Sequence, residues 1–236
     1  MQTNGVQFIL YTFLGPETRY IHTHTQDARS TESAVKQNYF KFKRIDPSPL
    51  KFNDFIHPLS FVFRPCIFIP AAAYAMVFLW GGIMPTIEIP QLYPEKYGLN
   101  TEQVGLQNIS FIIGSLVGEQ IGGILSDKWM AYGRRQKQKQ HQAEEFVEPE
   151  HRLWLSYIGH ALTICGVVVF CVQFEKSSTS WNITPLVGTT IGAAGNQIVT
   201  TVDITYAVDC YRDEAASVGV FITFVRQVWG FIGPFW

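Results

Sequence analysis

The chain runs to 236 residues with a net charge of −1; 47% of its residues are hydrophobic and only 16% are charged. Soluble domains usually carry about 25% charged residues, so the balance argues against an ordinary water-soluble domain. Near-neutral charge also offers nucleic acid no basic surface, and no nucleic-acid partner is expected.

The first apolar run, 6–14, is too short to cross a bilayer, and no small-residue cleavage site follows it in a suitable setting. Residues 1–16 read as the tail of a membrane span whose beginning is missing. Residues 17–64 form a polar connector containing Asp46-Pro47-Ser48-Pro49, with helical potential near 30–40. Five long apolar segments follow, at 65–89, 104–125, 153–174, 185–208 and 215–236. Each is long enough to cross about 30 Å of hydrocarbon at 1.5 Å per residue. The expected fold is an all-α polytopic membrane protein: a five-span bundle over 65–236, with a basic loop at 126–152.

Charge orients the bundle. Of the 18 Lys and Arg, only Lys96 and Lys176 fall in the loops after the first and third spans, and only Arg226 inside a span. The others gather in 17–64, in 126–152 and at Arg212, which makes those loops cytoplasmic by the positive-inside rule. An odd number of spans leaves the C-terminus outside, and both ends look cut, as in a fragment of a larger polytopic protein. Asn182-Ile183-Thr184 is a glycosylation sequon on the outer face, close to the membrane. Cys66, Cys165, Cys171 and Cys210 form no CxxC or CxxH spacing and are expected to be buried free thiols. His22 and His24 make an HxH pair in a loop, too little for a metal site. No Ser/His/Asp or Cys/His set lies at one membrane depth, and no GxxxxGK[ST] loop is present. Neither an enzyme nor a bound cofactor is expected.

In the second span Gly114, Gly118 and Gly122 recur at every fourth residue and line one helix face. Such a face lets another backbone approach closely, either as static packing or as an interface that slides. Directly after come Gly123-Ile124-Leu125-Ser126-Asp127-Lys128 and then Gly133-Arg134-Arg135. An Asp at a helix end followed by basic residues can form a charge network that is made in one conformation and broken in another. The plainer reading of the basic cluster is an orientation signal.

GxxxD[RK] followed by G[RK][RK] between two spans resembles the loop signature of the major facilitator superfamily. Three extra residues, Met130-Ala131-Tyr132, separate the halves here. The stretches Gly15-Pro16-Glu17-Thr18, Tyr39-Phe40-Lys41-Phe42, Glu88-Ile89-Pro90-Gln91-Leu92, Gly118-Glu119-Gln120-Ile121-Gly122-Gly123 and the closing Phe224-Val225-Arg226-Gln227 are similar to its fungal, drug:proton-antiporter-like branch. In that register the chain covers the end of span six to span eleven. The resemblance implies an incomplete C-terminal six-helix bundle of a carrier that moves a small solute by alternating access, coupled to protons, in the plasma membrane. It also implies partners: the bilayer, and a missing N-terminal bundle of the same protein or of a paralogue. The alternative is a truncated, non-transporting half-carrier whose glycine face binds itself or a paralogue.

Polar side chains inside a span are costly unless paired or wetted, so each marks a candidate site, and carrier sites lie near the midplane. Arg226 and Gln227 fall near the middle of the fifth segment, Asn196 and Gln197 near the middle of the fourth. Glu119 and Gln120 lie about one turn to the cytoplasmic side in the second, and Tyr74 and Trp80 bracket the midplane of the first. A carboxylate that alternates between wet and dry surroundings takes up and releases a proton. Glu119 is thus the candidate proton carrier, with Arg226 its partner or an anchor for an anionic group. Equally, Glu119 and Arg226 form a buried structural pair. Asp203 reads as a helix-end ligand for a loop cation, Tyr74 and Trp80 as packing or substrate contacts. Asn196 and Gln197 read as interhelical hydrogen bonds worth about 1 kcal/mol.

Overall fold

A computed structural model describes residues 56–139, 149–178 and 180–235, all within the unit that runs from Asn53 to Trp236. The apolar run 6–14, the connector up to residue 55 with His22 and His24, and positions 140–148 lie outside the described residues. Helix α1, Pro65–Phe78, follows a short 3-10 turn at His57–Phe63. Pro65 opens it, at a position where a missing N–H costs nothing. The rod loosens into a π turn at Leu79–Ile83 and continues as α2, Met84–Tyr97. Gly98 ends it with φ 64°, a left-handed conformation that a side chain would strain. Then come α3, Thr101–Lys139, α4, Glu150–Lys176, α5, Thr184–Cys210, and α6, Ala215–Ile232. The described residues contain no strand.

Four stretches are long and apolar enough to cross a membrane: Pro65–Tyr97, Thr101–Gln136, Glu150–Lys176 and Arg212–Ile232. Five were expected. The exception is α5, which with 27 residues has the length, about 40 Å at 1.5 Å per residue, but carries many Thr, Asn, Gln and Asp side chains. Its position explains this polarity. Helices α3 and α4 run along two sides of α5, and α1 and α6 also touch it. Asn196, Asp203 and Thr189 are buried against these neighbours, so the helix need not be apolar all round.

Glycine makes that arrangement possible. On one side Gly114 and Gly118 of α3 lie against the backbone at Thr190 and Ala194, and Gly122 lies against Ile198. On the other, Gly166 of α4 meets Gly188 and Gly192, while Gly159 meets Gly195 and Val199. Lipid supplies no hydrophobic drive between helices, so close backbone contact and dispersion take its place. Hydroxyls reinforce the seam: Ser110 and Thr189 are 2.9 Å apart, and the Thr190 hydroxyl donates to the Ser110 carbonyl at 3.2 Å. The Gly114/Gly118/Gly122 face is therefore covered by α5 within the chain and is not free to dock a second copy or a paralogue.

Two expectations about local structure change. The stretch 126–139 is not loop but a continuation of α3; from Arg134 on it is all Lys, Arg and Gln, good helix formers, with Gly133 the weakest residue before them. Trp129 ties this extension to α4, donating to the His151 carbonyl at 2.9 Å and stacking on its ring at 5.4 Å. The four cysteines are free, but Cys66, Cys165 and Cys171 are exposed and Cys210 is half-buried. A thiol suits a lipid-facing wall as well as a core.

Candidate functional site

Helix α6 buries Val218, Phe221, Ile222 and Val225 against α1 and α5, and this rotation carries Arg226 to the edge of the same seam. The Arg226 guanidinium donates from Nη1 to the Tyr74 hydroxyl at 3.2 Å and sits 4.7 Å from the centre of the Phe78 ring. Tyr74 is 1% exposed, so its hydroxyl has little access to water. Among the described residues no carboxylate lies within ion-pairing distance of Arg226, and its Nε is buried without a partner. A charge at the centre of a span costs about 3 kcal/mol on insertion scales, and a cation–π contact returns only about 0.5–2 kcal/mol. Beside the guanidinium opens a groove of about 510 Å³, lined by Tyr74, Ile204, Gly219, Ile222 and Thr223.

The expected pair of Glu119 with Arg226 does not form. Glu119 and Gln120 are exposed on α3, which packs chiefly on α5; Arg226 is held by α1 instead. Asn196 is 3% exposed, its Oδ1 unpartnered, and it faces the glycines of the π turn, where a Cβ on Gly82 would stand 3.7 Å from its Nδ2. π turns often interrupt helices at functional sites. Gln197 is half-buried and Gln227 exposed. Trp80, 46% exposed, lines a second groove of about 360 Å³ with Met76, His160, Ile164 and Val168.

Asp203 is not a ligand at a helix end. It is 4% exposed, hydrogen-bonded to Ser156 and beside His160, with its Oδ1 unpartnered. His160 Nδ1 in turn lies 2.7 Å from the Ser156 carbonyl and 3.3 Å from its hydroxyl. Sequence reading missed Ser156 and His160. The available signal was their i, i+4 spacing inside an apolar segment, which puts two polar groups on one helix face.

The loop-signature residues lie on the extension of α3: Gly133 is buried, while Asp127, Lys128, Arg134 and Arg135 are exposed. Gly123 faces open space. Among the described residues none of those four charged groups forms an ion pair. The charge network at this end of the bundle is built elsewhere. Asp209 binds Arg152 at 3.4 Å and Arg212 at 3.6 Å, joining the start of α4 to the end of α5. Glu214 binds Arg64 at 3.5 Å and His57 at 3.8 Å. Nearby, the Cys66 thiol lies 3.7 Å from the Tyr211 hydroxyl, and that hydrogen bond pushes the phenol above its ordinary range. At the opposite end Lys96 donates to the Phe174 and Glu175 carbonyls. Arg152 and Asp209 are 12% and 23% exposed, between the exposed pairs worth up to about 1 kcal/mol and the buried ones whose breakage costs about 3–5 kcal/mol. Arg152→Ala is thus expected to destabilise the bundle by about 1–2 kcal/mol, read as a lower thermal midpoint in detergent; an unchanged midpoint would mean the pair is fully solvated.

Long apolar helices around a polar central one define a multi-pass integral membrane protein. The whole-sequence comparison gives the family likeness. The chain is similar to fungal MFS-type transporters: it is 27% identical over 180 residues to the MFS-type transporter atr4 of Stereocaulon alpinum, covering 75% of this chain and 30% of that one. It is 24% identical over 189 residues to the MFS-type transporter penM of Penicillium rubens, 80% of this chain and 35% of that one. To the MFS-type transporter phm3 of a Pyrenochaetopsis species it is 26% identical over 181 residues, with 76% and 35% covered. The chain spans about a third of the length of the curated relatives it matches. No family model and no solved structure matches it.

Proposed function

We propose that the chain is the greater part of one six-helix bundle of a twelve-span secondary carrier, which moves a small solute by alternating access with proton coupling. One observation carries the reading. Three polar atoms on α5 and α6, Asn196 Oδ1, Asp203 Oδ1 and Arg226 Nε, are buried and unpartnered. Unmet polar groups inside a membrane are expensive, and a carrier keeps such groups for what it binds. That the relatives are named as transporters supports a transport role. The proton route is assigned to Asp203 rather than Glu119, because a dry carboxyl held by Ser156 and His160 changes its surroundings when the bundle opens. Glu119, exposed on α3, lacks such partners. The solute path is assigned to the side of Tyr74, Asn196 and Arg226, and the membrane to the plasma membrane.

Two measurements test this. An immunoblot of membranes with an antibody to residues 20–60 is expected to detect a product well above 26.8 kDa, near twice that mass. A band near 27 kDa would leave the half-carrier reading in place. Vesicles carrying the native product, offered a mixed metabolite extract, are expected to accumulate particular solutes only while a proton gradient is maintained. Accumulation that survives an uncoupler would overturn the coupling, and the absence of any accumulation would overturn the carrier.

A further inference from the structure

We infer that the groove beside Arg226 is a binding site for a carboxylate carried on an apolar body, so that the solute, on the carrier reading above, is an amphipathic organic monoanion. Guanidinium carries five N–H donors, of which one is used among the described residues, toward the Tyr74 hydroxyl. No carboxylate within the described residues answers the charge, although the side chain sits inside a membrane-spanning helix. Arg is suited to a carboxylate because its planar donors match the two oxygens. The other lining fits the rest of such a molecule. Ile204, Val220 and Ile222 supply apolar wall, while the Phe78 ring, outside that lining, covers one face of the guanidinium at 4.7 Å. Gly219 leaves space, since a Cβ there would meet nothing within 4 Å. One fixed positive charge beside an apolar groove selects against neutral and cationic ligands, because neither answers the half-buried guanidinium.

The test uses the full 236-residue chain in detergent, titrated with 4-phenylbutyrate and its neutral isostere 4-phenylbutyramide, and followed by tryptophan fluorescence. The carboxylate is expected to bind at least about tenfold more tightly than the amide. Arg226→Gln is expected to abolish that preference, chiefly by weakening the carboxylate; Arg226→Lys should retain part of it. Gly219→Leu, which keeps the charge and fills only open space, should weaken both ligands. Equal binding of the two probes to the unaltered chain would overturn the proposal even if Arg226→Gln failed to fold, and so would a preference that survives Arg226→Gln. The readout needs no transport. Loss of vesicle flux with the preference intact would strike the carrier reading alone, and flux with no preference would strike this site alone.

Discussion

Gly166→Leu is expected to abolish the folded bundle or lower its thermal midpoint sharply. Gly166 sits where α4 and α5 touch backbone to backbone, and even a Cβ there would lie 2.5 Å from the Gly192 Cα and 2.7 Å from the Gly188 carbonyl oxygen. No flexible side chain stands in the way that could swing aside. The helices must separate, and the contacts at Gly159, Thr163 and Gly195 along the same seam go with them. Overpacking a tight interface costs about 1–3 kcal/mol and occasionally more; a backbone collision along a shared seam belongs at or above the top of that range. Gly123→Leu supplies the control, since nothing lies within 4 Å of a Cβ there. Fluorescence-detected size exclusion and a thermal ramp in detergent read both variants. A monodisperse Gly166→Leu protein with an unchanged midpoint would mean that α4 and α5 do not meet as described.

In transport, Asp203→Asn is expected to have the largest effect of any isosteric change. The amide keeps the hydrogen bond to Ser156 and the volume of the side chain, so the fold should survive. On the proton route proposed above, it cannot take up and release the proton. Proton-driven accumulation in vesicles should fall by more than about tenfold, equivalent to 1.4 kcal/mol. Exchange of solute across the membrane without a gradient should persist. Glu119→Gln is the comparison, and its expected loss is much smaller because Glu119 is exposed on α3 with no hydrogen-bonding partner described. If Glu119→Gln abolishes accumulation while Asp203→Asn does not, the proton moves through α3 instead.

The same two carboxylates show what could be read along the chain. Both stood out as ionisable groups among apolar residues, and Arg226 did so on the same ground. Their environments were not legible. Glu119 and Arg226 were paired on charge alone, whereas the guanidinium meets Tyr74, 152 positions away. Asp203 was placed at a helix end because it lies near the edge of its apolar segment; α5 runs on to Cys210 and puts it inside, against a serine and a histidine. The GxxxD[RK] motif marked the right junction, but its residues stand on an unbroken helix, and the ion pairs there use Arg152, Asp209 and Arg212.

From the sequence alone came the membrane-spanning character, the segments, the glycine row as a contact face and the likeness to a carrier family. Each of these is a property of a continuous stretch: hydropathy over some twenty residues, or spacing along one helix. The tertiary structure alone decided that the least apolar segment is the central helix, that the glycine row is covered from within, and which buried polar groups have partners. Those outcomes depend on how each helix is rotated about its axis and how closely glycine lets two backbones approach. Rotation and approach are set jointly by residues far apart in the chain, and no single segment carries them.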